Sequence, residues 1–268
     1  MTPLTFAPDA DPTTPGVIVE ATNLIPSDKG YQDAPRPDNI TQDPIADTTF
    51  VPFNAAMLRM LNGDARVFVG GNMGLYERVT AGWAKRITPS IATSRGYGLR
   101  QFGDVTLAGS FAGEMQATSG PFFTSFAAIT GSPSARILCV TSTHQVMALG
   151  VDGDGWACSA LGDHTDWTPA LATQAATGRF LATPGPVTGG IEFGPHIVAF
   201  KEQSMYWMRY ANVPMIWSTE VISNEIGTIS DLSVMDVGER ILFVGTDDFY
   251  SFDGTKPIPI GAPIRRWF

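Results

Sequence analysis

The feature that most constrains this fold is a ten-residue frame: an apolar run, a short polar break, and a second apolar run. It is clearest between Gly194 and Gly254, where GPHIVAFKEQSMYWMRY is followed, after a connecting segment, by GERILFVGTDDFYSFDG. The frames Ile197–Tyr206 and Ile241–Tyr250 superpose without a gap, each with a Tyr nine positions after its first apolar residue. β-Branched and aromatic residues on both sides of a polar break are the pattern of a β-hairpin. Val67–Tyr76 (VFVGGNMGLY) repeats the frame with its Tyr, and Val105–Glu114 and Ile137–Val146 repeat it without one. A Gly and a polar residue precede three windows, at Gly103-Asp104, Gly194-Pro195-His196 and Gly238-Glu239-Arg240. A bulky aromatic follows four of them, at Trp83, Phe122, Trp156 and Trp217. The starts at 67, 105, 137, 197 and 241 lie 38, 32, 60 and 44 residues apart, so one supersecondary unit recurs with a loose period.

The last unit shows what recurs. Ile229–Val237, Arg240–Gly245, Phe249–Asp253 and Pro257–Ile260 read as four strands, with proline on the outermost, where an edge tolerates it. A four-stranded antiparallel unit of about 40 residues, repeated, is the arithmetic of a β-propeller. The sequence therefore predicts an all-β, propeller-like chain of about five four-stranded blades, with an insertion or extra strand pair in the 137–197 interval. Two stacked β-sandwiches are the alternative that pattern leaves open. Only Ala55–Leu61 (AAMLRML) reads as helix-compatible, stopped by Asn62-Gly63.

Before residue 53 the composition changes. Nine of the 20 prolines fall there, and proline fixes φ and removes a donor, which favours extended paths. Residues 1–52 thus read as an extended N-terminal arm, with Val17–Ala21 as its one candidate strand, and residues 53–268 as the propeller-like domain. The arm can lie on its own chain or pack on a neighbouring subunit.

With 44% hydrophobic and 16% charged residues, the chain can bury a large, lightly charged core. No window approaches the roughly 18 apolar residues of a membrane span, so no membrane insertion is expected. The N-terminus lacks the basic and apolar regions of a secretory signal, which makes cytoplasmic synthesis the expectation. A net charge of −9 argues against gripping nucleic acid through its phosphates, but suits a wall beside which DNA slides. Cys139 and Cys158 read as buried, reduced thiols.

The search for chemistry nominates little. His144, His164 and His196 are outside metal-site spacing of one another, and no Gly-x-Ser-x-Gly elbow marks a nucleophile. Asp152-Gly-Asp-Gly departs from the calcium-loop pattern, with Trp156 at its fifth position, and reads as a hairpin turn. Gly70-Gly71-Asn72-Met73-Gly74 lacks the Lys-Ser/Thr of a phosphate loop and reads likewise. The carboxylates a propeller hydrolase would use, Asp152, Asp154, Asp163, Asp166, Asp247, Asp248 and Asp253, all fall in or beside turns. No catalytic, metal or cofactor residue is assigned, and the chain is expected not to be an enzyme. Tyr76, Tyr206 and Tyr250 share one repeat position, and Trp83, Trp156 and Trp217 another; such rings fill the space between sheets or, alternatively, form stacking platforms for sugars or bases.

Four stretches in order resemble a family of bacteriophage virion proteins. Trp156–Trp167 (WACSALGDHTDW) resembles its Trp-x-x-Ser strand, Gly-Asp turn and second Trp, and Asn23–Pro37 (NLIPSDKGYQDAPRP) resembles its opening. Gly190–Tyr210 resembles its Gly-led strand pair, and Ile226-Gly227 to Ile264, closed by Arg265-Arg266-Trp267-Phe268, resembles its FDG and Pro-Ile-Gly run. The family comprises the tail nozzle or packaged-DNA stabilisation proteins of short-tailed phages. The resemblance implies a propeller-bearing subunit, six copies to a ring, at the distal end of the portal–adaptor channel. There it would contact other tail and connector proteins, help retain packaged DNA, and conduct it transiently and non-specifically on ejection. The implied location is the virion tail, assembled in the host cytoplasm, with no catalytic site to carry over. Family members usually continue past the Arg-Trp-Phe point, so a shortened member is one expectation. A carbohydrate-binding propeller for host-surface attachment is the alternative function.

Overall fold

In the computed structural model the chain is a five-bladed β-propeller. The structure describes residues 44–88, 95–120 and 125–262, with residues 11 and 13–15 and four short strands near the N-terminus. Those four are β1 (Thr5–Phe6) paired parallel with β2 (Val17–Ile18), and β3 (Leu24–Ser27) paired antiparallel with β4 (Gly30–Asp33). The rest of the expected arm up to residue 43 lies outside the described residues.

Each blade is a four-stranded antiparallel meander in chain order. Blade 1 is β5 (Pro52–Arg59), β6 (Ala65–Gly71), β7 (Gly74–Val79) and β8 (Gly82–Ile87). Blade 2 is β9 (Gly98–Phe102), β10 (Val105–Ser110), β11 (Gly113–Thr118) and β12 (Phe126–Ala128). Blade 3 is β13 (Ile137–Val140), β14 (Val146–Val151), β15 (Gly155–Cys158) and β16 (Ala176–Arg179). Blade 4 is β17 (Val187–Phe193), β18 (His196–Lys201), β19 (Ser204–Asn212) and β20 (Ile216–Ser223). Blade 5 is β21 (Val234–Asp236), β22 (Ile241–Val244), β23 (Phe249–Phe252) and β24 (Pro257–Pro259). The first strand of each blade lies at the axis, where β5, β9, β13, β17 and β21 touch in succession.

Period-two side-chain alternation decides how blades stack. In β14, Val146 and Ala148 face blade 2, while Met147 and Leu149 face blade 4. In β18, Ile197 and Ala199 face blade 3, while Val198 and Phe200 face blade 5. A strand covered on both faces has no polar side, which is why IVAF and VMAL are unbroken apolar runs. Four apolar clusters fill the four seams from blade 1 to blade 5. Among the described residues no such cluster joins blade 5 back to blade 1. The flanking strands show it: β5 alternates exposed and half-buried residues, and Met57 and Met235 are 61% and 62% exposed.

Three expectations change. Ala55–Leu61 is not helical: Ala55–Arg59 belongs to β5, and Met57 pairs with Val67, because cross-strand pairing overrides a weak local helix preference. The window Ile137–Val146 is out of phase, covering the first and second strands of its blade where the other four cover the second and third. The blade 3 equivalent starts at Val146, and the long interval is absorbed by the β15–β16 connection, residues 159–175. In the last unit the first strand starts at Val234, because Asp231–Ser233 forms a 3-10 turn capped by the Ser230 hydroxyl. Near the axis backbones approach closely. A Cβ on Gly98 would lie 1.6 Å from the Arg136 carbonyl oxygen, so only glycine lets β9 pass there.

Candidate functional site at the propeller axis

A cavity of about 250 Å³ lies at the centre, bounded by residues from all five blades. Asn54 and Ala56 come from blade 1, Arg100 from blade 2, Leu138 from blade 3, Gly190 from blade 4 and Val234 from blade 5, with Arg136 and Asp231 from the connections leading into blades 3 and 5. Two ion pairs cross it, and each skips a blade. Arg100 Nε donates to Glu192 Oε1 at 3.3 Å, linking blade 2 to blade 4. Arg136 Nη1 donates to Asp231 Oδ1 at 2.5 Å, linking the entry of blade 3 to that of blade 5.

The same Glu192 oxygen accepts the Val140 N–H at 2.7 Å, so blade 3 joins the first latch. Arg136 is 3% exposed, and its Nε has no hydrogen-bond partner among the described residues. Burial opposes the charge on Arg100, but Glu192, with Asp231 nearby, holds its pKa above the ordinary arginine value. Two cations facing two anions leave the cavity close to neutral, so its charges are spent on the ring. An axis crossed this way is a closed hub.

The structure places the sequence-nominated residues in seams and turns. Tyr76, Tyr206 and Tyr250 all sit on the third strand of their blades, opposite Val69, Ala199 and Phe243, and all are buried. Each hydroxyl bonds outside its own strand: Tyr76 donates to Asp47, Tyr250 to Asp247, and Tyr206 shares a hydrogen bond with Thr183. Trp83 and Trp217 lie on fourth strands, but Trp156 is on a third strand, which corrects the shared position. Trp156 and Trp217 are buried between blades 3 and 4, and the Trp217 indole donates to Gln145 Oε1 at 3.2 Å. Both pack in the seam, and Trp156 also lines a cavity with Asp152 and Arg179. Trp83 is half-buried beside the Arg78 guanidinium, and Phe122 lies outside the described residues.

The turn aspartates are backbone fasteners. Asp47, Asp163 and Asp253 each accept the hydroxyl and the backbone N–H of the Thr two residues on, at 2.7 and 3.0, 2.7 and 2.8, and 2.5 and 3.0 Å. The hydroxyl, then the N–H, holds each carboxyl below the usual range. Asp166 accepts the Thr168 N–H, and Asp154 is paired to Arg179, which lowers its pKa. Asp152 has φ 48° in the β14–β15 turn, the hairpin position read from Asp152-Gly-Asp-Gly. Asn72, in the Gly70–Gly74 turn, accepts the Val51 N–H at 2.7 Å. Asp248 is fully buried and accepts the Phe249 N–H.

His144 occupies a turn at φ 57°, His164 stacks obliquely on Phe102, and His196 meets Trp207 edge-on. Burial lowers the pKa of His164 and His196, keeping their rings neutral near pH 7. Cys139 and Cys158 are free and buried; burial pushes Cys158 up to about 11 and Cys139 well above the usual thiol range, so both stay protonated.

Sequence reading missed the buried charges. Glu77, 6% exposed, binds Arg66 through two contacts (2.6 and 2.9 Å) and Arg86 through a third (2.7 Å), and Arg66 reaches Thr106 of blade 2 at 3.2 Å. Burial raises the Glu77 pKa, and the two guanidiniums more than offset it, leaving the carboxyl below its ordinary value. Lys201, 1% exposed, donates to the Phe180 and Thr183 carbonyls, both at 2.6 Å, fixing the link into blade 4. A signal for the axial pairs exists: Gly98-Leu99-Arg100 and Gly190-Ile191-Glu192 repeat Gly-apolar-charged on two innermost strands.

No family model matches this sequence, and no curated protein matches it. Among solved structures, two of an extracellular domain from B. thetaiotaomicron, described as part of a one-component or hybrid two-component system, superpose with TM-scores of 0.54 and 0.55. Their identities are 9% and 10%, over 78% and 81% of this chain. The fold is shared; at such identity nothing more is. The chain spans only 29% and 28% of the length of those two domains. BamB from Moraxella catarrhalis aligns over 75% of this chain and 62% of its own, at 14% identity and a TM-score of 0.48.

Proposed function

We propose that the propeller is a non-enzymatic structural subunit of a short-tailed phage tail, of the nozzle or hub-ring kind. It assembles with copies of itself, six to a ring, and with connector proteins. The assembly helps retain packaged DNA and borders its path on ejection. The observation that carries this reading is the use of charge. Turn aspartates such as Asp163 and Asp154 hold their own turn or a partner in the fold, and ion pairs near the axis latch one blade to another, while the chain keeps a net charge of −9. Such a surface is a mildly repulsive wall for DNA. With the axis closed, DNA runs outside each propeller, through the opening that a ring of subunits encloses. The resemblance of Trp156–Trp167 and Gly190–Tyr210 to motifs of that phage family supports the reading.

Mass spectrometry and electron cryomicroscopy of particles from the phage or prophage that encodes this chain test the reading. The expected result is a ring of these propellers in the tail. Purified, infectious particles lacking the chain would refute it.

A further inference from the structure

Charge is nearly balanced in the axial cavity, but hydrogen bonding is not. A guanidinium carries more N–H donors than the two latches use. Arg136 gives only Nη1, to Asp231 Oδ1, and Arg100 gives Nε to Glu192 Oε1 and Nη1 to the Leu99 carbonyl at 3.0 Å. The buried Arg136 thus keeps its whole Nε–Nη2 edge free among the described residues. The N–H groups of such an edge run parallel, the arrangement that takes both oxygens of a carboxylate. Arg100 Nη2 makes no hydrogen bond either, and both side chains border the same space of about 250 Å³. Native proteins rarely leave a buried donor without an acceptor, so this edge calls for one.

We propose that the axial cavity binds a small planar monoanion of the carboxylate type, taken edge-on by Arg136 Nε and Nη2, with Arg100 as the second cation. Formate, acetate and bicarbonate share this chemistry. The free groups are donors on cations, which disfavours a metal ion. An anion gains charge-assisted bonds there that water or another neutral acceptor lacks. Asp231 and Glu192 already offset the two guanidiniums, so a second negative charge on the ligand would be repelled. The cavity falls short of the roughly 300–1,000 Å³ of drug-sized pockets, which limits the ligand to a few heavy atoms. Bound there, the anion links the guanidinium of blade 2 to that entering blade 3 and, through Asp231, to blade 5. It braces a ring in which, among the described residues, no apolar cluster joins blade 5 to blade 1. The site needs neither a ring of subunits nor a tail.

Saturation-transfer NMR with formate and the full chain tests this. The expected result is transfer that saturates with formate concentration and is displaced by acetate but not by sulfate at equal ionic strength. Arg136→Lys and Arg100→Lys keep the charges that Asp231 and Glu192 face but lose the planar fork. They should weaken formate binding by ~10-fold and ~3-fold. The Arg100 side chain is 37% exposed, so Arg100→Lys keeps the test open if Arg136→Lys does not fold. Transfer that never saturates, as a cavity holding only water would give, would overturn the proposal. Equal displacement by sulfate, or formate affinity unchanged in either folded variant, would overturn it too.

Discussion

Blade 4 and blade 1 have the same four-stranded meander, yet they are held by different chemistry. Blade 4 is covered on both faces, by Tyr206, Met208 and Trp217 toward blade 3 and by Phe200, Met205 and Trp207 toward blade 5. Blade 1 has one apolar seam, around Phe68, Leu75 and Leu99, and its other face exposes Phe53 and Met57. Directional polar contacts supplement that seam: the Arg66–Glu77–Arg86 triad, and Asn54, which donates to the Tyr97 carbonyl at 2.6 Å and accepts its N–H at 3.3 Å. An interior blade has apolar area on both faces besides its polar contacts. Blade 1, with one apolar seam among the described residues, adds contacts that also fix its angle.

This contrast breaks most sharply at Phe200, fully buried between blades 4 and 5. Phe200→Ala should cost about 3–5 kcal/mol and lower the melting of the whole propeller, as read by calorimetry. Glu77→Gln should cost about 3 kcal/mol, since two buried guanidiniums lose their counter-charge, and hydrogen exchange should rise in blade 1 before the others. Asp231→Asn should cost about 2 kcal/mol by stranding Arg136, with faster exchange at both β13 and β21. Met57→Ser, on the exposed flank, should stay within about 0.5 kcal/mol in urea unfolding.

Acid should separate the two regions again. The Glu77 pKa is depressed in the fold, so its stabilisation is complete above the unfolded carboxylate value of about 4.3 and is lost as pH falls through the lower folded value. The Tm difference between wild type and Glu77→Gln should therefore shrink below about pH 4. The corresponding difference for Phe200→Ala should persist, because no proton is involved.

Much of the fold is legible along the chain. The Tyr frame found three third strands, because a strand packed on both faces must repeat its large residues at fixed register, as in Ala199–Tyr206 and Phe243–Tyr250. Blade 3 was misphased because Ile137–Val146 is as apolar as its neighbours and hairpins look alike from either end. Ala55–Leu61 misled for a related reason: alanine, leucine and methionine favour helix locally, and the pairing with β6 that overrules them is not written in the segment itself.

By itself the sequence determined the strand content, the blade repeat, the acidic balance and the turns, because these depend on residues close together along the chain. Tertiary structure alone decided which charges meet across the axis, that the tryptophans of blades 3 and 4 are buried, and that among the described residues one seam lacks an apolar filling. Arg136 and Asp231 are 95 residues apart. Their pairing is set by how five sheets arrange around a common axis, a geometry that no local pattern encodes.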